Sequence, residues 1–111
     1  MSRRDELFLQ DILRACHKVL SFTSGLERKQ FFADEKTYDA VLRNLEIIGE
    51  ATKHVSEETR KSFPAIEWRK IGAFRDIVAH EYFGIDENIL WDIVANKVPA
   101  LLNQLKQGSA P

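Results

Sequence analysis

Apolar side chains recur along this chain at steps of three and four residues, the spacing that places them on one face of an α-helix. The helices that these stripes predict cover residues 4–23, 35–55, 67–82 and a last segment capped by Asp86, with short helical turns over 27–32 and between Ser56 and Pro64. No segment alternates between apolar and polar residues over the length of a β-strand. The pattern therefore predicts an all-α fold, an antiparallel bundle of about four to five helices with short connections.

The last predicted helix contains a proline within its apolar stripe. Pro99 has no backbone N–H, so it cannot donate the hydrogen bond that a regular helix requires at that position. We therefore expect a kink one turn earlier, near Ala95 or Asn96.

The helix over 35–55 carries apolar residues on two flanks. Its main stripe includes Leu45, and a second flank carries Ala40, Ile47 and Ala51. Two apolar flanks indicate two neighbouring helices, and in so small a bundle one of them could belong to a second copy of the chain. This helix is therefore a candidate surface for a homodimer, which could associate further.

The length and composition are those of one globular domain. The chain has 111 residues, of which 44% are hydrophobic and 30% are charged. We expect a single domain over residues 1–107 and a disordered tail over 108–111. No apolar run reaches the ~20 residues of a membrane helix, and the N-terminus lacks a signal peptide's apolar block, so we expect a cytoplasmic protein. The single cysteine, Cys16, lies on an apolar stripe and is expected to pack in the core.

The formal net charge of −1 gives the chain no overall attraction to nucleic acid. A local basic surface has one candidate, the cluster of Arg60, Lys61, Arg69, Lys70 and Arg75. Acidic residues in the same stretch dilute this cluster. It is therefore either a phosphate-binding surface or a solvated helix face of mixed charge.

Three potential metal ligands, Glu46, Glu50 and His54, share one face of the helix over 35–55. Carboxylate-bridged metal bundles need a matching set of ligands on partner helices, and the sequence contains no such set. Ion pairs with Arg43 and Lys53 explain these residues better. We therefore expect neither a metal site nor a cofactor.

The stretch from Arg75 to Tyr82 places a guanidinium, an imidazole and a phenol on the last two turns of one predicted helix. Asp76 and His80 are four residues apart, so the carboxylate can orient the imidazole and favour its protonated form. The negative end of the helix dipole favours the same form. Both effects suit a proton donor, although the spacing equally fits a surface Arg–Asp bridge with a capping histidine.

Arg75 and His80 cannot share one face of a straight helix, because their side chains point about 140° apart around its axis. One solution is that the helix loosens before Gly84 and lets His80 turn. The other is that both groups meet their counterparts from a second protomer across a two-fold axis, so that a dimer forms one composite site.

The same stretch resembles a known motif. Arg75-x4-His80-x-Tyr82 is similar to the Arg-x4-His-x-Tyr motif of HEPN domains, and specifically of HepT-like toxins. Further blocks that resemble this family lie at residues 43–51, 68–71, 82–86 and 90–92, so that the resemblance covers about residues 5–106. It implies a HEPN-like helical bundle that forms a homodimer, with the two motif helices meeting at a cleft.

The resemblance also implies a function in a type II toxin–antitoxin system. The toxin would be a metal-independent endoribonuclease, and its antitoxin would be a minimal nucleotidyltransferase. Carried over by position, Arg75 and His80 are the catalytic pair, Asp76 is the polar residue after the arginine, and Tyr82 is the residue that such antitoxins adenylylate. In RNA cleavage by 2′-hydroxyl attack, His80 could move protons and Arg75 could stabilise charge on the phosphoryl oxygens.

Two other functions fit the same residues. The chain could be a non-catalytic helical module that docks a nucleotidyltransferase, with Arg75 and His80 in the interface. It could also be a bundle that only dimerises. RNA cleavage in the presence of a chelator, lost in Arg75→Ala, distinguishes an enzyme from both.

Overall fold

The computed structural model describes residues 1–80 and 84–108, except for the side chains of Ile77, Ala79 and His80. Every regular element in this part of the chain is helical, which confirms the predicted all-α fold. The α-helices are α1 (Arg3–Thr23), α2 (Arg28–Ala33), α3 (Glu35–His54), α4 (Glu57–Lys61), α5 (Trp68–His80), α6 (Glu87–Asp92) and α7 (Val98–Gly108), and a π-helical segment (Ile93–Lys97) joins the last two. Helix α7 includes Gly108, the first residue of the predicted tail, and residues 109–111 lie outside the described part.

The predicted capping residues begin their helices as expected. Asp34, Ser56 and Asp86 each accept a hydrogen bond from a backbone N–H two or three residues further on, at 2.7 to 3.3 Å. Each bond satisfies an amide that has no partner within the first turn of its helix. Local sequence signals therefore fix where α3, α4 and α6 start.

The core is built around α3, which packs against α1 and α5, while α7 packs against α1. The largest fully buried side chains are Phe31, Ile12, Leu42, Leu90, Val19, Val41, Val94, Thr52 and Cys16. Burial raises the pKa of the Cys16 thiol to about 12. A thiol in this environment stays protonated at neutral pH, which fits the predicted packing role.

The two neighbours of α3 are both found within the chain. Ala51 is buried, and Ala40 and Ile47 are half-buried. Packing on α1 and α5 therefore accounts for two apolar flanks without a second copy. The homodimer stays a prediction.

The longest helices of the structure, α1 and α3, contain 21 and 20 residues. Both are amphipathic, with buried apolar residues on one side and charged residues on the other. Within the described ranges, no helix is long and apolar enough to cross a membrane.

The irregularity predicted near Ala95 and Asn96 takes the form of the π-helical segment, which contains both residues. The backbone N–H of Val98 donates to the carbonyl of Ile93, five residues earlier. The segment ends at Lys97, two residues before Pro99, which cannot continue the regular hydrogen-bond pattern of an α-helix.

A buried carboxylate joins the start of α1 to the start of α4. Asp5 is only 4% exposed, and it accepts hydrogen bonds from Ser56 N (3.2 Å), Ser56 Oγ (2.6 Å) and Thr59 Oγ1 (2.6 Å). These bonds, those from the Ser56 and Thr59 hydroxyls first, hold the pKa of Asp5 below its ordinary value. We call these three residues the Asp5 cluster.

Candidate active site on helix α5

The predicted site residues Arg75 and Asp76 lie on α5 where it crosses α3. The crossing is close because α3 has a glycine there: a methyl group added at Gly49 would overlap the Cβ atom of Arg75. A second glycine, Gly72 on α5, faces the side chain of Lys53. The absence of side chains at these two positions lets the helices approach each other, which brings charged groups of α3 within reach of Arg75.

Arg75 is held between two carboxylates and is 30% exposed. Its Nε atom lies 3.1 Å from Oε2 of Glu50, and its Nη1 atom lies 3.5 Å from Oδ1 of Asp76. The Nε atom is buried and, within the described residues, makes no hydrogen bond, so the contact with Glu50 is an ion pair without hydrogen-bond geometry. Nη2 makes no hydrogen bond to a described residue, so the guanidinium retains donors for a ligand at that nitrogen.

Asp76 has a second cationic partner. Its Oδ1 atom accepts a hydrogen bond of 2.7 Å from Nζ of Lys53, on α3. This bond, with a smaller contribution from Arg75, lowers the pKa of Asp76. Asp76 is therefore ionised at neutral pH, and its predicted interaction with His80 would share the carboxylate with Lys53.

Glu50 links Arg75 to a histidine. Its Oε1 atom lies 3.1 Å from Nε2 of His54, one turn later on α3, and its Oε2 atom contacts Arg75. We call Glu50, Lys53, Arg75 and Asp76 the Arg75 cluster. Within it, two cations and two anions alternate across the contact between α3 and α5.

The prediction of ion pairs along the acidic face of α3 is confirmed for Arg43 and is wrong for Lys53. Glu46 pairs with Arg43 at 3.8 Å, as predicted. Lys53 instead reaches Asp76, and Glu50 reaches Arg75, because the close approach of α5 offers both side chains partners across the helix contact. No group of three or more potential metal ligands occurs among the residues that the structure describes.

The other two predicted site residues are only partly covered by the structure. His80 is the last residue of α5, and its side chain lies outside the described part of the chain. Tyr82 lies outside it altogether. The backbone is α-helical from Trp68 through His80, so the 140° separation expected from Arg75 to His80, about that of a regular helix, applies along this stretch.

Two cations of the predicted basic cluster, Arg60 and Lys70, interact with groups of their own chain. Arg60 donates to the carbonyl of Thr52 at 2.7 Å and lies over the ring of Trp68. Lys70 pairs with Glu67 at 2.7 Å. Arg60 and Lys70 are thus engaged within the chain, which favours a solvated face of mixed charge over a phosphate-binding surface for the part of the cluster away from Arg75.

Comparison with known proteins matches this chain to a ribonuclease family and to relatives named as ribonucleases. The model of the family described as Ribonuclease HepT-like matches residues 12–108. "Putative RNase MJ0127" and "Putative RNase MJ1380" of Methanocaldococcus jannaschii are 39% and 38% identical to the chain over 108 and 107 residues, covering 96% of it and 89% and 98% of their own lengths. "Probable ribonuclease HepT" of Thermococcus cleftensis is 36% identical over 107 residues, which cover 96% of this chain and 97% of that protein. No solved structure matches the chain. The chain therefore belongs to the HepT-like ribonuclease family of the HEPN superfamily.

Proposed function

We propose that this protein is the toxin of a toxin–antitoxin pair and acts as a metal-independent endoribonuclease, with Arg75 and His80 as its catalytic residues. One observation carries the proposal beyond family membership. The guanidinium of Arg75 is held, partly exposed, between the carboxylates of Glu50 and Asp76, on the helix that ends at His80. An oriented cation with free hydrogen-bonding capacity suits a phosphate ligand.

The proposed reaction is an internal transfer at phosphorus. The 2′-oxygen of a ribose loses its proton and attacks the adjacent phosphorus, while the bond from phosphorus to the 5′-oxygen breaks and that oxygen gains a proton. The products are a 2′,3′-cyclic phosphate and a free 5′-hydroxyl. We assign the proton transfers to His80 and the stabilisation of charge on the phosphoryl oxygens to Arg75.

We further propose that two protomers complete the site. Because α5 is α-helical through His80, any loosening of the helix before Gly84 would lie outside the described residues, and we base the proposal on the second solution. Pairing of two α5 helices across a two-fold axis would instead place Arg75 of one protomer beside His80 of the other. The homodimer is therefore part of the catalytic proposal.

We assign Tyr82 as the point of control. A nucleotidyltransferase antitoxin would transfer AMP from ATP to the phenolic oxygen and release pyrophosphate. The attached nucleotide would add bulk and negative charge two residues from His80, where an RNA phosphate must bind. We expect Tyr82→Phe to cleave RNA and to escape neutralisation by the antitoxin, measured as toxicity with and without coexpression of the antitoxin.

The ribonuclease assignment is tested by incubating the purified protein with RNA in excess chelator. We expect cleavage that leaves 2′,3′-cyclic phosphate ends, and a loss of at least about 100-fold in His80→Ala because the proton transfers lose their catalyst. The matched control is His17→Ala, which removes an exposed imidazole from α1 and should leave cleavage unchanged. Full activity in His80→Ala would refute the assignment. An inactive wild-type protein that still forms a stable complex with a nucleotidyltransferase would indicate the docking module instead.

A further inference from the structure

We propose that Glu50 is a positioning residue for catalysis: its carboxylate orients the Arg75 guanidinium toward the RNA phosphate. The inference rests on the proposed function of Arg75, and it adds a residue from a different helix and from outside the Arg-x4-His-x-Tyr motif. Glu50 lies on α3, and Arg75 lies on α5.

The contacts of the guanidinium define which of its nitrogen atoms are paired. Glu50 Oε2 lies 3.1 Å from Nε, and Asp76 Oδ1 lies 3.5 Å from Nη1. Nη2 makes no hydrogen bond within the described part of the chain. The carboxylates thus contact Nε and Nη1, on opposite edges of the planar group, and leave Nη2 as the nitrogen whose donors are available to a ligand. A guanidinium binds phosphate best with two parallel N–H groups, so the direction of its plane matters.

Glu50 is the better candidate for this role than Asp76, although both contact Arg75. The strongest interaction of Asp76 is its 2.7 Å hydrogen bond with Lys53, and its distance to Arg75 is the longer of the two. The other contact of Glu50 is with His54, on its own helix and at 3.1 Å. Glu50 therefore provides the closest anion to Arg75 from outside α5.

The backbone supports this arrangement. Gly49, the residue before Glu50, lies directly against the Cβ and Cγ atoms of Arg75. The start of the Arg75 side chain is therefore fixed by the contact with α3, and the far end is held by the next residue of the same helix. A side chain restrained at both ends loses less conformational freedom when it binds a phosphate than a free arginine does.

A purely structural role for the Glu50–Arg75 pair makes different predictions. A partly exposed ion pair contributes little to stability, and its loss should leave the turnover of a folded enzyme unchanged. A positioning role predicts that kcat falls while KM for RNA stays the same or decreases, because removing a negative charge near the phosphate does not weaken binding.

The first test compares Glu50→Gln with Glu46→Gln by steady-state RNA cleavage. Glu46→Gln is a matched control, because it removes a similar carboxylate one turn earlier on α3, where the partner is Arg43. We expect kcat to fall about 10- to 100-fold in Glu50→Gln, with unchanged KM, and not to change in Glu46→Gln. A wild-type kcat in Glu50→Gln would overturn the proposal.

The second test is rescue of Arg75→Ala with free guanidinium ion. We expect guanidinium to restore part of the activity when Glu50 is present. In the double variant with Glu50→Gln, the restored activity should be at least about 10-fold lower, because the Glu50 carboxylate no longer positions the ion. Equal rescue in both backgrounds would contradict a positioning role. Full activity in Arg75→Ala without guanidinium would instead refute the proposed function itself, so the two failures are distinguishable.

Discussion

Two polar clusters join helices in this bundle, and they differ in how completely their groups are hydrogen bonded. The carboxylate of Asp5 is 4% exposed and accepts three hydrogen bonds of 2.6 to 3.2 Å from Ser56 and Thr59. The side chains of the Arg75 cluster are 30% to 50% exposed. The Nε atom of Arg75 lies beside a carboxylate and forms no hydrogen bond with any described residue.

The difference separates a structural role from a functional one. A buried carboxylate that accepts three hydrogen bonds from its own chain cannot bind a ligand without losing the bonds that hold the helices together. A partly exposed guanidinium with unused donors can bind a phosphate without such a loss. We therefore expect changes to the Asp5 cluster to affect stability, and changes to the Arg75 cluster to affect catalysis.

The largest expected effect is on catalysis by Arg75→Ala. Loss of one donor to the charged phosphoryl oxygens should reduce RNA cleavage about 100- to 1000-fold. The melting temperature should change little, because the ion pairs of Arg75 are partly solvated. Arg43→Ala, which removes a more exposed arginine from α3, is the control for both measurements.

The next largest expected effect is a loss of stability in Asp5→Asn. The variant removes a charged acceptor from the Ser56 and Thr59 hydroxyls, so the melting temperature should fall by several degrees while kcat of the folded protein is unchanged. Asp11→Asn, on the exposed side of the same helix, should have a much smaller effect. A loss of kcat with an unchanged melting temperature would reverse the roles assigned to the two clusters.

The Asp5 effect should also depend on pH. Hydrogen bonds from Ser56 and Thr59 hold the pKa of Asp5 below its ordinary value in the folded state. The stabilisation is therefore complete above the pKa of the unfolded chain and is lost as pH falls below about 4, toward the lowered folded value. The difference in free energy of unfolding between the wild type and Asp5→Asn should shrink over this acid range.

Gly49→Ala is expected to reduce both stability and catalysis, the latter less than Arg75→Ala does. The added methyl group would overlap Cβ of Arg75, so α3 and α5 must separate, at a cost of about 1–3 kcal/mol. Gly72→Ala is the matched control, because its methyl group meets the flexible side chain of Lys53. Denaturant unfolding should show a loss for Gly49→Ala only, and RNA cleavage should fall with it. Equal stability of the two variants would contradict the close contact at Arg75.

The smallest effect is expected from Lys53→Met. The hydrogen bond from Lys53 is the main cause of the lowered pKa of Asp76, so that pKa should rise toward its ordinary value. An NMR titration of the side-chain carboxyl measures the shift directly. An unchanged pKa would mean that Arg75 alone accounts for the environment of Asp76.

The helices and their caps could be predicted from the sequence because they depend on local spacing. Periodicity places residues on the faces of a helix, and a residue such as Ser56 or Asp86 marks its start within a few positions. The irregular turn before Pro99 was predictable for the same reason, since its cause lies within one turn of the helix.

The partners across helices could not be predicted in this way. Asp5 and Ser56 are 51 positions apart, and Lys53 and Asp76 are 23 apart, so their contacts depend on how the helices cross. One signal for the crossing was present: Gly49 within the apolar stripe of a helix indicates close approach of another backbone. That signal locates the contact between α3 and α5, but it does not identify Arg75 as the residue on the other side.

We propose that one protomer's Arg75 acts with the other protomer's His80. The most direct test of this proposal is to coexpress the Arg75→Ala and His80→Ala chains with different tags and to isolate the mixed dimers. Each variant alone should be inactive, whereas the mixed dimer should recover on the order of half the wild-type cleavage, because one intact pair forms across its interface. Mixed dimers that assemble but remain inactive, or chains that never associate, would contradict the composite site.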